Sequence, residues 1–341
     1  EYAMTNEERG PARTANSGMS SADDQGAVLI DLSVAIVSLI NAQPCCRLIE
    51  GHGHDLPRLP FGPFYPAQHR TMEIGLRQWV SEQVGVDLGH VEQLYTFGDR
   101  GRNAGTILRD HVVSVGYLAL TQTEKTTSKG GRWASLYEFF PWEDGRDGRS
   151  DIIETILRPA LQRWLDSNPS KAHADRINIA FPVDPRNWDE DLVLERYELL
   201  YEAAIIPEAK SDERVAELNI DASETALIGQ PLQLDHRRIL ATAMGRLRSK
   251  MKYRPVIFDL MPKLFTLGHL QMTAEAILGT PLHKQNFRRL VERSALLEST
   301  GQRAHARGRP AELFRFKYDA ARERPLAGLR IGAGRNRQRF G

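Results

Sequence analysis

The densest set of residues able to do chemistry lies near the C-terminus. Lys284, Gln285, Asn286, Arg288, Arg289 and Arg293 share one short stretch, and Arg303, Arg307 and Arg309 follow in a loop that ends at Pro310. Arg, Asn and Gln bond base edges when a helix carries them into a major groove. Arginines at a hairpin tip reach phosphates or a minor groove. A solvated basic helix face is the plain alternative. Here the polar face does not alternate in sign and a Gly-Arg-Pro hairpin follows directly, so the pattern points to DNA.

The elements that must position these residues can be read around them. Leu270, Ala274, Ile277 and Leu278 recur at helical spacing and predict a helix over 267–278. Gly279 tolerates a positive φ and Pro281 cannot continue the helix. A second helix starts near His283, with Phe287, Leu290 and Val291 as its buried stripe. Strands follow over 296–300 and 311–316, the latter alternating Leu313 and Arg315 with Phe314 and Phe316. Helix, turn, basic helix and basic hairpin make a winged helix-turn-helix.

DHRRILATAMGRLRSKMKYRPVIFDLMPKLFTLGHLQ (235–271), NFRR (286–289) and GRPAELFRF (308–316) together resemble the C-terminal half of the Nudix-related transcriptional regulators, the NrtR family. The size of the chain is similar to the NadQ branch, repressors of NAD biosynthesis genes. The resemblance is close over about 80 C-terminal residues and looser over the N-terminal half. It implies a Nudix-like sensing domain, an adenine nucleotide effector (NAD or ATP), palindromic double-stranded operator DNA and a homodimer. It implies no obligatory cofactor.

A Nudix hydrolase carries a glutamate-rich helix ending Arg-Glu-U-x-Glu-Glu-x-Gly-U, where U is aliphatic. Its glutamates hold magnesium ions that bridge a diphosphate and activate water. The helix expected over 69–84, closed by Gly85 and Val86, aligns with that pattern but keeps only Glu82 of the three carboxylates. One carboxylate does not hold two divalent ions against a diphosphate, so the expectation is a non-enzymatic relative with no catalytic residue and no metal site. LYTFGDRGR (94–102) resembles the segment that follows the Nudix helix, and its Arg100 and Arg102 offer partners for phosphate. Arg47, Glu82, Arg100 and Arg102 are the expected effector contacts. An active hydrolase acting on ADP-ribose or related nucleoside diphosphates, or a nucleic-acid-binding protein without an effector, are the rival readings.

The remaining sequence fills in the frame. The chain has 341 residues, a net charge of +1, 41% hydrophobic and 26% charged content, as for a globular chain of two domains. No apolar run reaches the ~18 residues of a membrane span, and no charged-then-apolar leader opens the chain; a cytoplasmic protein is expected. Cys45 and Cys46 are the only two cysteines and adjacent, which suits neither a disulfide framework nor zinc. His52 and His54, without a third ligand, read as a polar surface loop. The segment 184–224 is mainly acidic and everything from His236 onward mainly basic, a split that fits a nucleic-acid-facing end.

In order, the chain is expected to run as a disordered tail (1–25), a Nudix-like domain (26–232), a winged helix (233–318) and a basic flexible tail (319–341). Strands are expected at 28–40, 47–50 (after a turn at Gln43 and Pro44), 91–97, 112–121, 134–142 and 177–181. Helices are expected at 152–165, 190–206, 236–253 and 256–264, the first as an insertion, with 221–234 a connector. On the 236–253 helix, Arg237, Arg246, Arg248, Lys250 and Lys252 fall outside the apolar stripe, and the helix is expected to join the two domains and also to touch phosphate. The fold class is therefore α/β (α+β): a Nudix-like α/β/α sandwich with a helical insertion, then a winged helix-turn-helix.

Overall fold

The computed structural model describes residues 28–51, 53, 55–98, 111–122, 130–304 and 310–317. Its N-terminal half is built on strands β1 (Val28–Ile40), β2 (Gln43–Leu48), β3 (Phe61–Pro63), β4 (Val91–Phe97), β5 (His111–Leu120) and β6 (Arg132–Ser135). They form one sheet in the order β4-β5-β1-β2-β6, with β3 pairing β1 off this path. β1 runs parallel to β5 and antiparallel to β2 and β3. The β1–β2 turn sits at Asn41 and Ala42, both at positive φ (50° and 59°), and Gln43 and Pro44 already belong to β2. Two left-handed residues are what a tight hairpin turn requires, so the turn falls two residues earlier than expected from Pro44.

Side chains along β1 alternate between two cores, as the period of a strand dictates. Leu32, Val34 and Ile36 pack with Leu76, Val80 and Val84 of α1 (Met72–Val84). Ala35 and Val37 belong to the core on the other face, with Ile239, Leu240 and Ala243. Thr71 caps the start of α1, accepting from Ile74 N, and Gly85 closes it at φ 61°. Helices on both faces of one mixed sheet give the expected α/β/α sandwich.

The insertion departs from its expected strands. Residues 134–142 hold only the end of β6, then the short helix α2 (Leu136–Phe139) and a 3-10 turn (Pro141–Glu143). Ser135 and Glu138 close a capping box there, and that reciprocal pair starts a helix despite the aromatic content. Residues 153–157 form a π turn leading into α3 (Arg158–Ser167). The expected strand at 177–181 is the end of α4 (Lys171–Ala180), where Ile177 and Phe181 share the buried side and Ile179 is exposed. α5 (Val193–Glu202), α6 (Glu208–Ser211) and α7 (Ala222–Thr225) follow, the last inside the expected connector.

α8 (His236–Tyr253) lies against β1, β4, β5 and α5 and also touches α9 (Leu267–Leu278). It is enclosed on most sides, which corrects the expectation for its basic residues. Arg237 and Arg248 are fully buried and Lys252 nearly so, while Arg246 remains half exposed. Each buried charge has partners: Arg237 reaches Glu208 (3.2 Å) and the carbonyls of Phe139 and Ile228, and Lys252 reaches Asp191 (2.7 Å) and Glu190 (3.3 Å). Lys250 pairs with Glu92. These cations bind the fold together rather than DNA.

His236 opens α8 inside the core. Its Nδ1 accepts from Leu59 N at 3.1 Å, and Nε2 lies 3.5 Å from Ser33 Oγ, which itself neighbours Ser114 Oγ at 3.1 Å. Burial, helped by Arg58, pushes its pKa down to about 3, so the ring is neutral. A single 3-10 turn (Val256–Asp259), not a longer helix, then leads to α9, α10 (Lys284–Ser294) and the hairpin β7 (Leu297–Ala304) and β8 (Ala311–Phe316). Among the described residues, no helix is long and apolar enough to cross a membrane.

Candidate nucleic-acid interface and its joint with the N-terminal half

Thr266 caps α9 by accepting from His269 N at 3.1 Å, and Gly279 ends it at φ 68°. The turn to α10 is held by one carboxylate: Glu275 Oε1 accepts from Leu282 N and from Gln271 Nε2, both at 2.9 Å. α10 buries Phe287 and Val291 against the core. Its outward face presents Lys284, Gln285, Asn286, Arg288, Arg289 and Arg293, all exposed. Arg303 is exposed on β7, while Arg307 and Arg309 lie outside the described residues. Phe265 and Phe314 exchange backbone hydrogen bonds (3.1 and 2.8 Å), and Phe316 stacks on Phe258 with centroids 4.1 Å apart, so the hairpin is fastened beside the helices. The structure thus gathers the six α10 residues on one surface, with Arg303 on the adjoining wing.

In the N-terminal half, Glu82 is exposed on α1 and accepts from Gln78 Nε2 at 2.9 Å. Glu73, also on α1, is held by Arg77 at 2.9 Å, and Arg77 further donates to the carbonyls of Leu88 and Gly89. Arg47 is buried on β2, its guanidinium over the Trp133 ring at 5.6 Å and donating to Gly130 O. A Cβ at Gly130 would lie 2.2 Å from Gln83 O, so this loop rests on the last turn of α1 and brings Arg47 to it. Arg100, Arg102, His52 and His54 lie outside the described residues. Among the described residues, no three His, Cys, Asp or Glu side chains converge as metal ligands. Cys45 and Cys46 are buried, and burial pushes the Cys45 thiol up to about 11, which keeps both from acting as thiolates at neutral pH.

Residues 257–316 match the family model described as the NrtR DNA-binding winged helix domain. The winged helix is of the NrtR type. A curated relative, the "ADPR responsive transcriptional repressor NtrR" of Acinetobacter baylyi, is 43% identical over 98 residues, which is 28% of this chain and 39% of the relative. The match therefore spans well under half of that protein. The crystal structure of Shewanella oneidensis NrtR with a 27mer DNA superimposes with a TM-score of 0.52 at 21% identity, covering 86% of this chain and 95% of that one. The same NrtR without DNA gives 0.51, again at 21% identity, over 86% and 96% of the two chains. The order of sandwich and winged helix along the chain is the NrtR fold.

The NrtR-type winged helix is joined to the sandwich through the C-terminal end of α9. Tyr137 Oη donates to Ala276 O at 2.6 Å, Arg248 Nε to Ile277 O at 2.9 Å and Gly145 N to Gly279 O at 2.7 Å. Donors at a helix C-terminus satisfy carbonyls that the helix itself leaves unpaired. Arg248 is fixed in turn by Glu143, whose carboxylate accepts from Arg248 Nη1 (2.6 Å) and from Arg196 Nε and Nη2 (2.5 and 2.9 Å). All three side chains are fully buried. Burial by itself raises the Glu143 pKa, but the two guanidiniums outweigh it and hold the carboxyl below its ordinary range. Nothing in the periodicity of α8 signals this joint, because Glu143 lies 105 residues from Arg248.

Proposed function

We propose that this chain is a dimeric DNA-binding repressor of the NadQ branch, acting on NAD biosynthesis genes, whose Nudix-like half binds an adenine nucleotide. The observation that carries the reading is the outward basic face of α10 on an NrtR-type winged helix. Lys284, Gln285, Asn286, Arg288, Arg289 and Arg293 read the major groove, and Arg303, Arg307 and Arg309 hold the wing to the backbone. A single winged helix buries too little surface for specific affinity, so two copies bind a palindromic operator.

The effector is NAD, ATP or ADP-ribose; the last enters because the Acinetobacter relative is named for its response to ADPR. Arg47 and Glu82, which the fold brings to the last turn of α1, are its proposed contacts there, and Arg100 and Arg102, outside the described residues, are the proposed phosphate partners. The nucleotide shifts the population of dimers between two spacings of the α10 helices, of which one matches successive major grooves. The α1 carboxylates support binding without hydrolysis.

The test is thermal melting and product analysis with each nucleotide and magnesium. A specific ligand at about 100 times its dissociation constant adds about 2.7 kcal/mol of stability, and no AMP is released. Turnover at about 1 per second or faster would make the chain a hydrolase instead.

A further inference from the structure

We propose that a cleft between the helical insertion and the helix-turn-helix turn binds a small aromatic carboxylate. The cleft has a volume of about 240 Å³ and is lined by Trp142, Arg149, Ile153 and Trp188 together with Gly279 and Thr280. It belongs to the side of the sheet that carries α8 and α9, opposite α1, and so is separate from the nucleotide site placed at the end of α1.

The chemistry of the ligand follows from what the walls offer. Among the described residues, Arg149 Nε and Trp142 Nε1 are buried donors with no hydrogen-bond partner. Arg149 Nη1 serves the carbonyls of Pro182 (2.8 Å) and Val183 (3.3 Å), and its Nη2 lies 3.3 Å from Glu154, a carboxylate shared with Arg158. Two guanidiniums on one half-exposed carboxylate leave a positive excess, and burial, more than Glu154 offsets, holds the Arg149 pKa below its ordinary value. Glu143 does not oppose an anion, since Arg196 and Arg248 already match its charge. Arg186 at the rim contributes little, being paired with Asp184 at 2.8 Å. These donors therefore stand without acceptors, and a carboxylate supplies them.

The half-buried Trp188 ring, which carries the Arg196 guanidinium at 3.9 Å, backed by the buried Trp142 and Ile153, favours a planar apolar body. The volume sets its size. Pockets for drug-sized ligands start at about 300 Å³, so this one takes a single ring and not a dinucleotide. A ligand here touches the insertion and the α9–α10 turn together, which links its occupancy to the seating of the DNA-binding unit.

The experiment is calorimetric titration of the full chain with benzoate and with benzamide, its uncharged counterpart. Benzoate binds saturably, one per chain, and at least about tenfold more tightly than benzamide, the worth of one charge-assisted hydrogen bond. Arg149→Gln weakens benzoate at least about tenfold and leaves benzamide unchanged. Ser150→Trp, which fills the cleft from its rim, abolishes binding of both; melting curves confirm that the two variants fold. Saturating ADP-ribose leaves the benzoate titration unchanged. Equal affinity for both probes, no saturable binding up to about 10 mM, indifference to Ser150→Trp, or competition by ADP-ribose would each overturn the proposal. None of these readings uses DNA, so they stand or fall apart from the repressor function.

Discussion

Replacing Glu143 by Gln removes the one carboxylate that serves two fully buried guanidiniums, Arg196 and Arg248, while keeping the shape of the side chain. Breaking a buried ion pair costs about 3–5 kcal/mol, because the remaining charge is left uncompensated in a low dielectric. The Gln oxygen still accepts one hydrogen bond, so the low end, about 3 kcal/mol, is the expected loss. For a chain of 341 residues that lowers the melting temperature by about 4 °C. The pH dependence has a definite sign. Arg196 and Arg248 overcome burial to hold the folded Glu143 pKa below its unfolded value, so its contribution is complete above about pH 4.3 and is lost as pH falls through the folded pKa. The gap between wild type and variant is thus full at pH 7 and closes in acid. Circular dichroism melts across that range measure it, with Glu82→Gln, an exposed α1 position, as the control that does not move. A Glu143→Gln melting point within about 1 °C of wild type at pH 7 would refute the reasoning. It would mean that the joint under α9 is held by Tyr137 and Gly145 alone.

Three further outcomes are expected. Arg288→Ala weakens operator binding by about 1–3 kcal/mol and leaves nucleotide binding untouched; unchanged operator affinity in an anisotropy titration would mean α10 is not the reading helix. Gly279→Ala places a Cβ 2.1 Å from Glu143 O at φ 68°, and urea denaturation should show a loss of about 1–3 kcal/mol, whereas Gly268→Ala, with only Thr266 Oγ1 at 3.8 Å, costs nothing. His236 is neutral when folded, with a pKa of about 3, and takes up a proton near 6.5 when unfolded, so its stabilisation is complete above pH 6.5 and erodes below it. Between pH 7.5 and 5.5 the wild type loses about 1.4 kcal/mol through this group, and His236→Gln removes that part of the slope; equal slopes would contradict the buried neutral ring.

The winged helix was the most legible part of the sequence. Its α9 and β8 bounds coincide with the periodicity, because Gly279 and Pro281 stop the helix and the hairpin alternates apolar and polar residues. The sandwich was legible in β1, β4, β5 and α1, as apolar β-branched runs or an apolar helical stripe, while β3 lies in a Gly- and Pro-rich stretch that carries no strand pattern. The helix of the insertion was legible too, as the helical turn at Ile153–Leu157 and α3, but the strands expected at 134–142 and 177–181 were not there. Aromatic residues at 134–142 suggested a strand, although Ser135 and Glu138 carried a capping-box signature that would have found α2. The short apolar run at 177–181 is ambiguous by itself, and the helical pairing of Ile177 with Phe181 decides it. Burial of Arg237 and Arg248 was hidden for a different reason. A helix with one apolar stripe reads as half exposed, and only the packing of the insertion over its polar side, with Glu208 and Glu143 supplied from elsewhere, encloses those charges. The cleft residues Trp142, Arg149 and Trp188 come from separate segments of the insertion and share no local pattern.

The central claim is that nucleotide in one half sets operator binding by the other. It is tested most directly by titrating this chain onto a fluorescent NAD-biosynthesis promoter fragment, beside a random fragment of equal length, with and without NAD, ATP and ADP-ribose. The account predicts tighter binding to the promoter than to the random fragment, with an affinity that one of the three nucleotides changes. Equal binding to both fragments, unmoved by any nucleotide, would contradict it and leave the C-terminal half a non-specific basic module.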